Sequence, residues 1–218
     1  ILVMGVVIAF PYLPGSNSPA FKGVSLFLGV LFSLGSTSAV ANVVAGLVIT
    51  YMLPFRLGDR VKVGDVMGDV IERNMLVTRI QTSKNMIVTI PNADIVNNKI
   101  INYTISAKAT GLILHTTVTI GYDVPWQKVQ ELLLSAAKRT EDVLPDPAPF
   151  ILQTALDDFY VHYEVNAYTD QPYKMAGILS ALRLNILDEF QAAKIEILSP
   201  HYRANRSGEE LTIPTGEL

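Results

Sequence analysis

VSLFLGVLFSLGSTSAVANVVAGLVITYML, running from Val24 to Leu53, contains no charged residue, and Ser25, Ser33, Ser36, Thr37, Ser38, Asn42 and Thr50 are its only polar interruptions. A helix needs about 20 predominantly apolar residues to cross the hydrocarbon core of a bilayer, so this run is long enough to span and then continue. A buried core helix or the apolar part of a signal peptide is normally shorter. The run therefore reads as a transmembrane helix.

The charges lie outside it. Of 218 residues 50% are hydrophobic and 17% charged, where soluble domains carry about a quarter. From Ile1 to Leu53 the only charged side chain is Lys22, and every other one of the 17 Lys and Arg and all 20 Asp and Glu follow from Arg56 onward. Lipid is the solvent of the first part and water of the second. Lys22 stands alone before the run, whereas Arg56, Arg60 and Lys62 follow it closely, so the bias of positive charge puts Val24 outside and Leu53 in the cytoplasm. Ahead of the run, Pro11, Pro14, Gly15, Ser16, Asn17, Ser18 and Pro19 form an external loop of helix breakers. Ile1 to Phe10 is apolar without a basic start or a cleavage site, and reads as the end of a preceding transmembrane helix in a longer, multi-pass chain.

Inside the run, Gly29, Ser33 and Ser36 recur at spacings of four and three, a small face that lets a neighbouring helix come close. Beside it lie Val30 and Leu34, one turn and about 6 Å apart along the axis. Copies packed through the small face around an axis would stack these two into apolar rings that block ions by dewetting. Alternatively they face lipid or a neighbouring helix. Gly35, Ser36, Thr37 and Ser38 are poor helix formers, and a kink is expected there. Beyond it Val40, Val43, Val44, Leu47, Val48 and Tyr51 form one apolar face, suited to a helix lying at the interface until Pro54 stops it.

From Phe55 to about Tyr103 the period becomes two, with Gly58, Gly64 and Gly68 at corners, which predicts four or five short strands able to close as a small β barrel-like domain over 54–110. From 111 to 198 the expected order is strand (Leu112 to Ile120), helix (Trp126 to Thr140), a Pro-rich loop, strand (Phe150 to Leu156), strand (Phe159 to Tyr168) and helix (Tyr173 to Ala193). That order suits an α+β layer of ferredoxin type. The tail from 199 to 218 is polar apart from Leu211 to Ile213, which could add one strand to a partner.

Little in the chain suggests catalysis. It has no cysteine, which removes disulfides, thiolate metal sites and cysteine nucleophiles. His115, His162 and His201 form no zinc pattern, and the glycines match no phosphate loop. His162 and Glu164 share a strand face, but two ligands do not complete a metal site. Asp157 and Asp158 read as a turn. The net charge of −3 gives no basic footprint for nucleic acid. No cofactor is expected, and the chain reads as a non-enzyme.

Ala41-Asn42-Val43-Val44-Ala45-Gly46-Leu47 and Pro54-Phe55-Arg56-Leu57-Gly58-Asp59 resemble the small-conductance mechanosensitive channel family (MscS-like). The likeness continues through Gly68-Asp69-Val70-Ile71, Thr78-Arg79-Ile80, Ile90-Pro91-Asn92, Ile101-Asn102-Tyr103 and Gly121-Tyr122-Asp123, covering Gly23 to Leu198. It implies a homoheptamer in the inner (plasma) membrane, its last transmembrane helix lining the pore. A β domain, an α/β domain and a C-terminal barrel would then enclose a cytoplasmic chamber. Matching Asn42 to the family's Asn places the pore constriction at Val30 and Leu34, the pair that helical spacing also singles out. Family members commonly have Gly at the kink, where this chain has Ser38 after Thr37, and line the helix with more Ala and Gly than Phe27, Phe32 and Ser33 provide. The expected function is a channel opened by membrane tension that releases ions and small solutes on hypoosmotic stress, with lipids and sister chains as partners. The alternative is a membrane-anchored oligomeric sensing or scaffolding module without conductance.

Overall fold

The computed structural model describes residues 18–198 together with Met4, Ala9 and Tyr12. Most of the loop before Ser18, most of the preceding apolar segment, and the tail with Leu211 to Ile213 lie outside the described residues. The chain divides into two compact units, Ile1–Gly58 with Lys62–Ile101, and Asp59–Val61 with Asn102–Leu218.

The first unit begins with α1 (Pro19–Met52). Its start lies several residues before the predicted one. Pro19 does not break the helix but opens it, because the first helical position needs no N–H and suits the fixed φ of proline. Ser18 is the N-cap, its Oγ accepting from the Phe21 N–H at 3.1 Å. At the other end Leu53 turns left-handed (φ 46°) and its N–H returns to the Ile49 carbonyl at 3.0 Å, after which Pro54 forbids continuation. Between these ends the helix is unbroken. The hydroxyl of Thr37 donates to the Ser33 carbonyl at 2.9 Å and that of Ser36 to the same oxygen at 3.4 Å. The weak segment thus hides its polar groups against its own backbone, and the bend expected there does not interrupt the helix.

Five strands follow: β1 (Arg60–Val63), β2 (Val66–Arg73), β3 (Val77–Thr82), β4 (Ile87–Pro91) and β5 (Ile100–Asn102), in the sheet order β4-β3-β2-β1-β5. Their inward positions, Val61, Val63, Val70 and Ile80, are buried, as are Phe55 and Ile95, which is the period of two that the sequence carries. Gly68 leaves β2 close against β3: a Cβ there would meet the Gln81 carbonyl and stand 2.8 Å from Ile80 Cγ2. Replacing Gly68 by Ala should therefore cost about 2 kcal/mol of unfolding free energy, since backbone must move to admit the methyl group. Denaturant titration that finds Gly68→Ala as stable as wild type would refute this.

Two short helices were not foreseen, α2 (Asn92–Asn97) after β4 and α3 (Tyr103–Ala109) after β5. Both are too short for an apolar period to declare itself. Their starts rest on local chemistry: Pro91 precedes the first, and the Asn102 carbonyl oxygen Oδ1 caps the second by accepting from the Ile105 N–H at 3.0 Å.

The second unit contains α3, β6 (Leu112–Gly121), α4 (Trp126–Arg139), β7 (Phe150–Leu156), β8 (Tyr160–Thr169) and α5 (Met175–Ala192), the last preceded by a 3₁₀ turn at Pro172–Lys174. The strands form an antiparallel sheet in the order β6-β8-β7. Alternate residues of β8, Val161, Tyr163 and Val165, join Ile120 of β6, Val129, Leu132, Leu133 and Ala136 of α4, and Leu182, Ile186 and Phe190 of α5 in one core. Helical spacings of three and four and strand spacings of two thus meet on one face. Arg139 and Glu189 pair at 2.6 Å between α4 and α5. After α5, Ile195 and Ile197 pack on this core and the Leu198 N–H donates to the Thr119 carbonyl at 2.8 Å.

Candidate pore helix and its anchoring site

Helix α1 has two ends to explain, one crowded and one open. Near its C-terminal end Ala45, Gly46 and Ile49 are buried. Toward its N-terminal end apolar side chains stand in the open: Phe27 is 64% exposed, Phe32 72%, Val30 51% and Leu34 74%. Exposed apolar surface on this scale requires lipid, other copies or both.

The crowded end is held by two asparagines. The Asn42 Oδ1 accepts from the Ala93 N–H at 2.9 Å, in the first turn of α2, while its Nδ2 donates to the Ser38 carbonyl at 2.9 Å. It thereby satisfies one of the N–H groups that a helix start leaves without an intrahelical partner. Asn92, fully buried, accepts at Oδ1 from the Thr78 hydroxyl at 2.9 Å and donates through Nδ2 to the Asn74 carbonyl at 2.9 Å, and its own N–H reaches the Leu76 carbonyl at 2.9 Å. Gly46 lies against this network. A Cβ there would meet the Met75 carbonyl oxygen and come within 2.9 Å of Asn92 Nδ2. Around Gly29 and Gly35, by contrast, a Cβ would meet nothing within 4 Å.

Asn42→Ala leaves the Ala93 N–H without its acceptor and should lower stability by about 1 kcal/mol, the usual net worth of one such bond. The check is denaturant unfolding of the purified variant, and an unchanged midpoint would remove Asn42 from the anchoring site.

The remaining motif residues serve the turn out of the helix. Pro54 is half-buried and Phe55 wholly buried, whereas Arg56 is exposed. Gly58 adopts φ 87° and donates its N–H to the Val70 carbonyl at 2.8 Å; only glycine takes that conformation without strain. Asp59, in the second unit, is 8% exposed and its Oδ2 accepts from Asn102 Nδ2 at 2.9 Å.

Of the residues singled out from sequence, the fold thus brings Asn42, Gly46 and Asn92 together, with Pro91 leading into Asn92. It leaves Gly29, Val30, Ser33, Leu34, Gly35, Ser36, Thr37 and Ser38 on the exposed length of α1. Sequence reasoning quoted Thr78 within a family block without giving it a role, and missed Asn74 and Met75, which act through backbone carbonyls that carry no residue-type signal. Elsewhere His162 Nε2 lies 2.7 Å from Asp157 Oδ2, in the β7–β8 turn. Among the described residues no group of three or more His, Asp and Glu is placed to hold a metal ion.

Two family models match: "Mechanosensitive ion channel, beta-domain" over residues 38–105 and "Mechanosensitive ion channel MscS, C-terminal" over residues 114–197, together well over half of the chain. The chain belongs to the MscS-like mechanosensitive channel family. Its anchoring site falls within the first match. Among curated members, the miniconductance mechanosensitive channel MscM of Escherichia coli is 28% identical over 176 residues, 81% of this chain and 16% of that protein. The mechanosensitive channel MscK of the same organism is 29% identical over 168 residues, 77% of this chain and 15% of that protein. The chain thus spans about a sixth of the length of these relatives. In three dimensions it resembles the closed-state crystal structure of Helicobacter pylori MscS, with a TM-score of 0.73 at 19% identity, covering 91% of this chain and 77% of that one. The fold is therefore MscS-like, an apolar helix followed by β sheets, and the family is one of channels.

Proposed function

We propose that the chain is the pore-forming part of an ion channel opened by membrane tension, which releases ions and small solutes when a cell swells. Sister chains, seven by the family resemblance, surround an axis with α1 of each lining the pore, in an inner membrane that the full protein crosses more than once. Val30 and Leu34 form the constriction, and Gly29, Ser33 and Ser36 the surface through which neighbouring copies of α1 pack. The observation that carries this reading is the contrast along α1. Gly46 is small because its own chain crowds it, whereas Gly29 and Gly35 have open space around them within the single chain and are small for a partner outside it. Residues 23–53 form the pore segment, 54–110 a barrel-like β domain and 111–198 an α+β domain of ferredoxin type, both in the cytoplasm.

The gate works by a difference between states: tension favours the wider arrangement of helices, lipids enter or leave the crevices between them, and the rings part and wet. Gly35 to Ser38 supplies the bend when it forms. The test is patch-clamp recording of the full-length protein in liposomes under a suction ramp, with no other protein present. Stepwise currents above a pressure threshold are expected. Silence up to membrane rupture, from protein shown to be inserted and oligomeric, would overturn the channel reading in favour of a sensing or scaffolding module.

A further inference from the structure

A bend inside a membrane takes a backbone carbonyl away from its N–H partner where no water can replace it, so a hinge there needs a side chain to supply the missing donor. Helix α1 carries such donors. The Ser33 carbonyl, which the α-helical pattern already pairs with the Thr37 N–H, also accepts from the Thr37 hydroxyl at 2.9 Å and, more loosely, from the Ser36 hydroxyl at 3.4 Å. The Ser38 carbonyl accepts from Asn42 Nδ2 at 2.9 Å, and the Gly46 carbonyl, at the crowded end, from the Thr50 hydroxyl at 2.7 Å. These sites differ in what stands behind them. Asn42 is itself held to the Ala93 N–H, so its bond ties Ser38 to the anchoring site. Ser36 and Thr37 are exposed, and a Cβ added at Gly35, between the Ser33 carbonyl and its donors, would meet nothing within 4 Å.

We infer that Thr37, seconded by Ser36, positions the hinge of α1: its hydroxyl keeps the Ser33 carbonyl paired as the Thr37 N–H draws away, and the bend falls within the turn Ser33–Thr37. The inference rests on the reading of α1 as a membrane-spanning pore helix. It differs from a hinge made of helix-weakening residues alone, because glycine loosens a helix without satisfying the carbonyl that a bend exposes. Hydroxyls that bond back to the preceding turn do both, since the competing bond itself favours bending. The ends of the turn are unlike. Downstream, Asn42 holds Ser38 in place; upstream, Val30 rides on the open arm and Leu34 lies in the turn itself. Bending there re-aims both proposed rings while the anchored end stays still.

The absence of cysteine permits spin labels at chosen positions of the full-length protein. A chain carrying Phe27→Cys with Lys84→Cys, or Phe27→Cys with Val96→Cys, is diluted into unlabelled chains and reconstituted in liposomes; all three positions are exposed and lie in the first unit. Phe27 stands about 14 Å along the helix from Ser36, so a bend of about 30° carries it sideways by about 7 Å, and two reference positions make a swing in any direction visible. Wild type should give two distances for at least one pair, at rest or after hypoosmotic swelling. Thr37→Val, close in shape but without the hydroxyl, should lower the fraction of the second distance about fivefold, the equilibrium worth of one hydrogen bond, whereas Thr37→Ser should keep it. A hydroxyl that merely conceals itself against the backbone predicts no difference between the two variants. One distance in wild type under both conditions would overturn the hinge, and so would a second distance equally populated in Thr37→Val. Conduction plays no part in this readout, so wild-type silence under suction would overturn the channel reading while the distances still decide the hinge.

Discussion

Gly46→Ala is expected to weaken the anchoring of α1 by about 2 kcal/mol, although the same change raises intrinsic helix propensity by about 1 kcal/mol. The reason is local. The added methyl group must occupy space held by the Met75 carbonyl oxygen and lies 2.9 Å from Asn92 Nδ2, and neither can retreat freely. The carbonyl belongs to the β2–β3 connection, and Nδ2 is committed to Asn74 while Oδ1 of the same amide holds Thr78. Shifting Asn92 would strand buried polar groups, each costing about 1–3 kcal/mol if left unpaired. Denaturant unfolding of the purified full-length protein reads the effect, and hydrogen exchange at the Ala93 amide, held by Asn42 in the same site, reads its location. If Gly46→Ala matches or exceeds wild-type stability, the close approach of α1 to this site is wrong. Larger residues should do worse, with Gly46→Val losing the docked helix altogether.

The legibility of this chain in its sequence follows from how far each signal reaches. The long apolar helix was plain, because an uncharged run of that length has a period of its own to show; its first turn was misplaced only because Pro19 ends one kind of segment and begins another. Strands β6, β7 and β8 and helices α4 and α5 lay within a residue or two of their expected bounds, since their apolar periods run over several repeats. Helices α2 and α3 were invisible for the opposite reason: each has fewer than two full periods and is set by the residues before it. The anchoring site was half legible. Asn42, Gly46 and Asn92 stood out by resemblance to a family, but what joins them, a helix start presented to Asn42 and a carbonyl pressed on Gly46, arises from tertiary contacts between segments distant in sequence. No pattern in residue types announces a backbone oxygen.

The largest functional effect should come from Val30→Ser and Leu34→Ser. In the closed arrangement proposed above, these side chains meet their sister residues at the axis and share apolar surface; on opening, each is exposed to water in the pore. Burial of a Val or Leu side chain is worth about 1.5–3 kcal/mol, and every copy contributes. Replacement by Ser removes most of that penalty from the open state and lets water persist in a narrow ring, so the equilibrium shifts toward conduction at every tension. With several copies acting together, the open probability at a fixed tension below the wild-type threshold should rise more than tenfold. Phe32→Ser, two residues beyond Val30 and exposed as well, points about 160° away from both Val30 and Leu34 and serves as the control, with a threshold close to wild type. Suction-ramp recordings of the three variants at matched reconstitution decide the matter. If Phe32→Ser leaks and Val30→Ser and Leu34→Ser do not, the pore face of α1 has been assigned to the wrong side of the helix. If none of the three differs from wild type, the seal lies elsewhere in the protein.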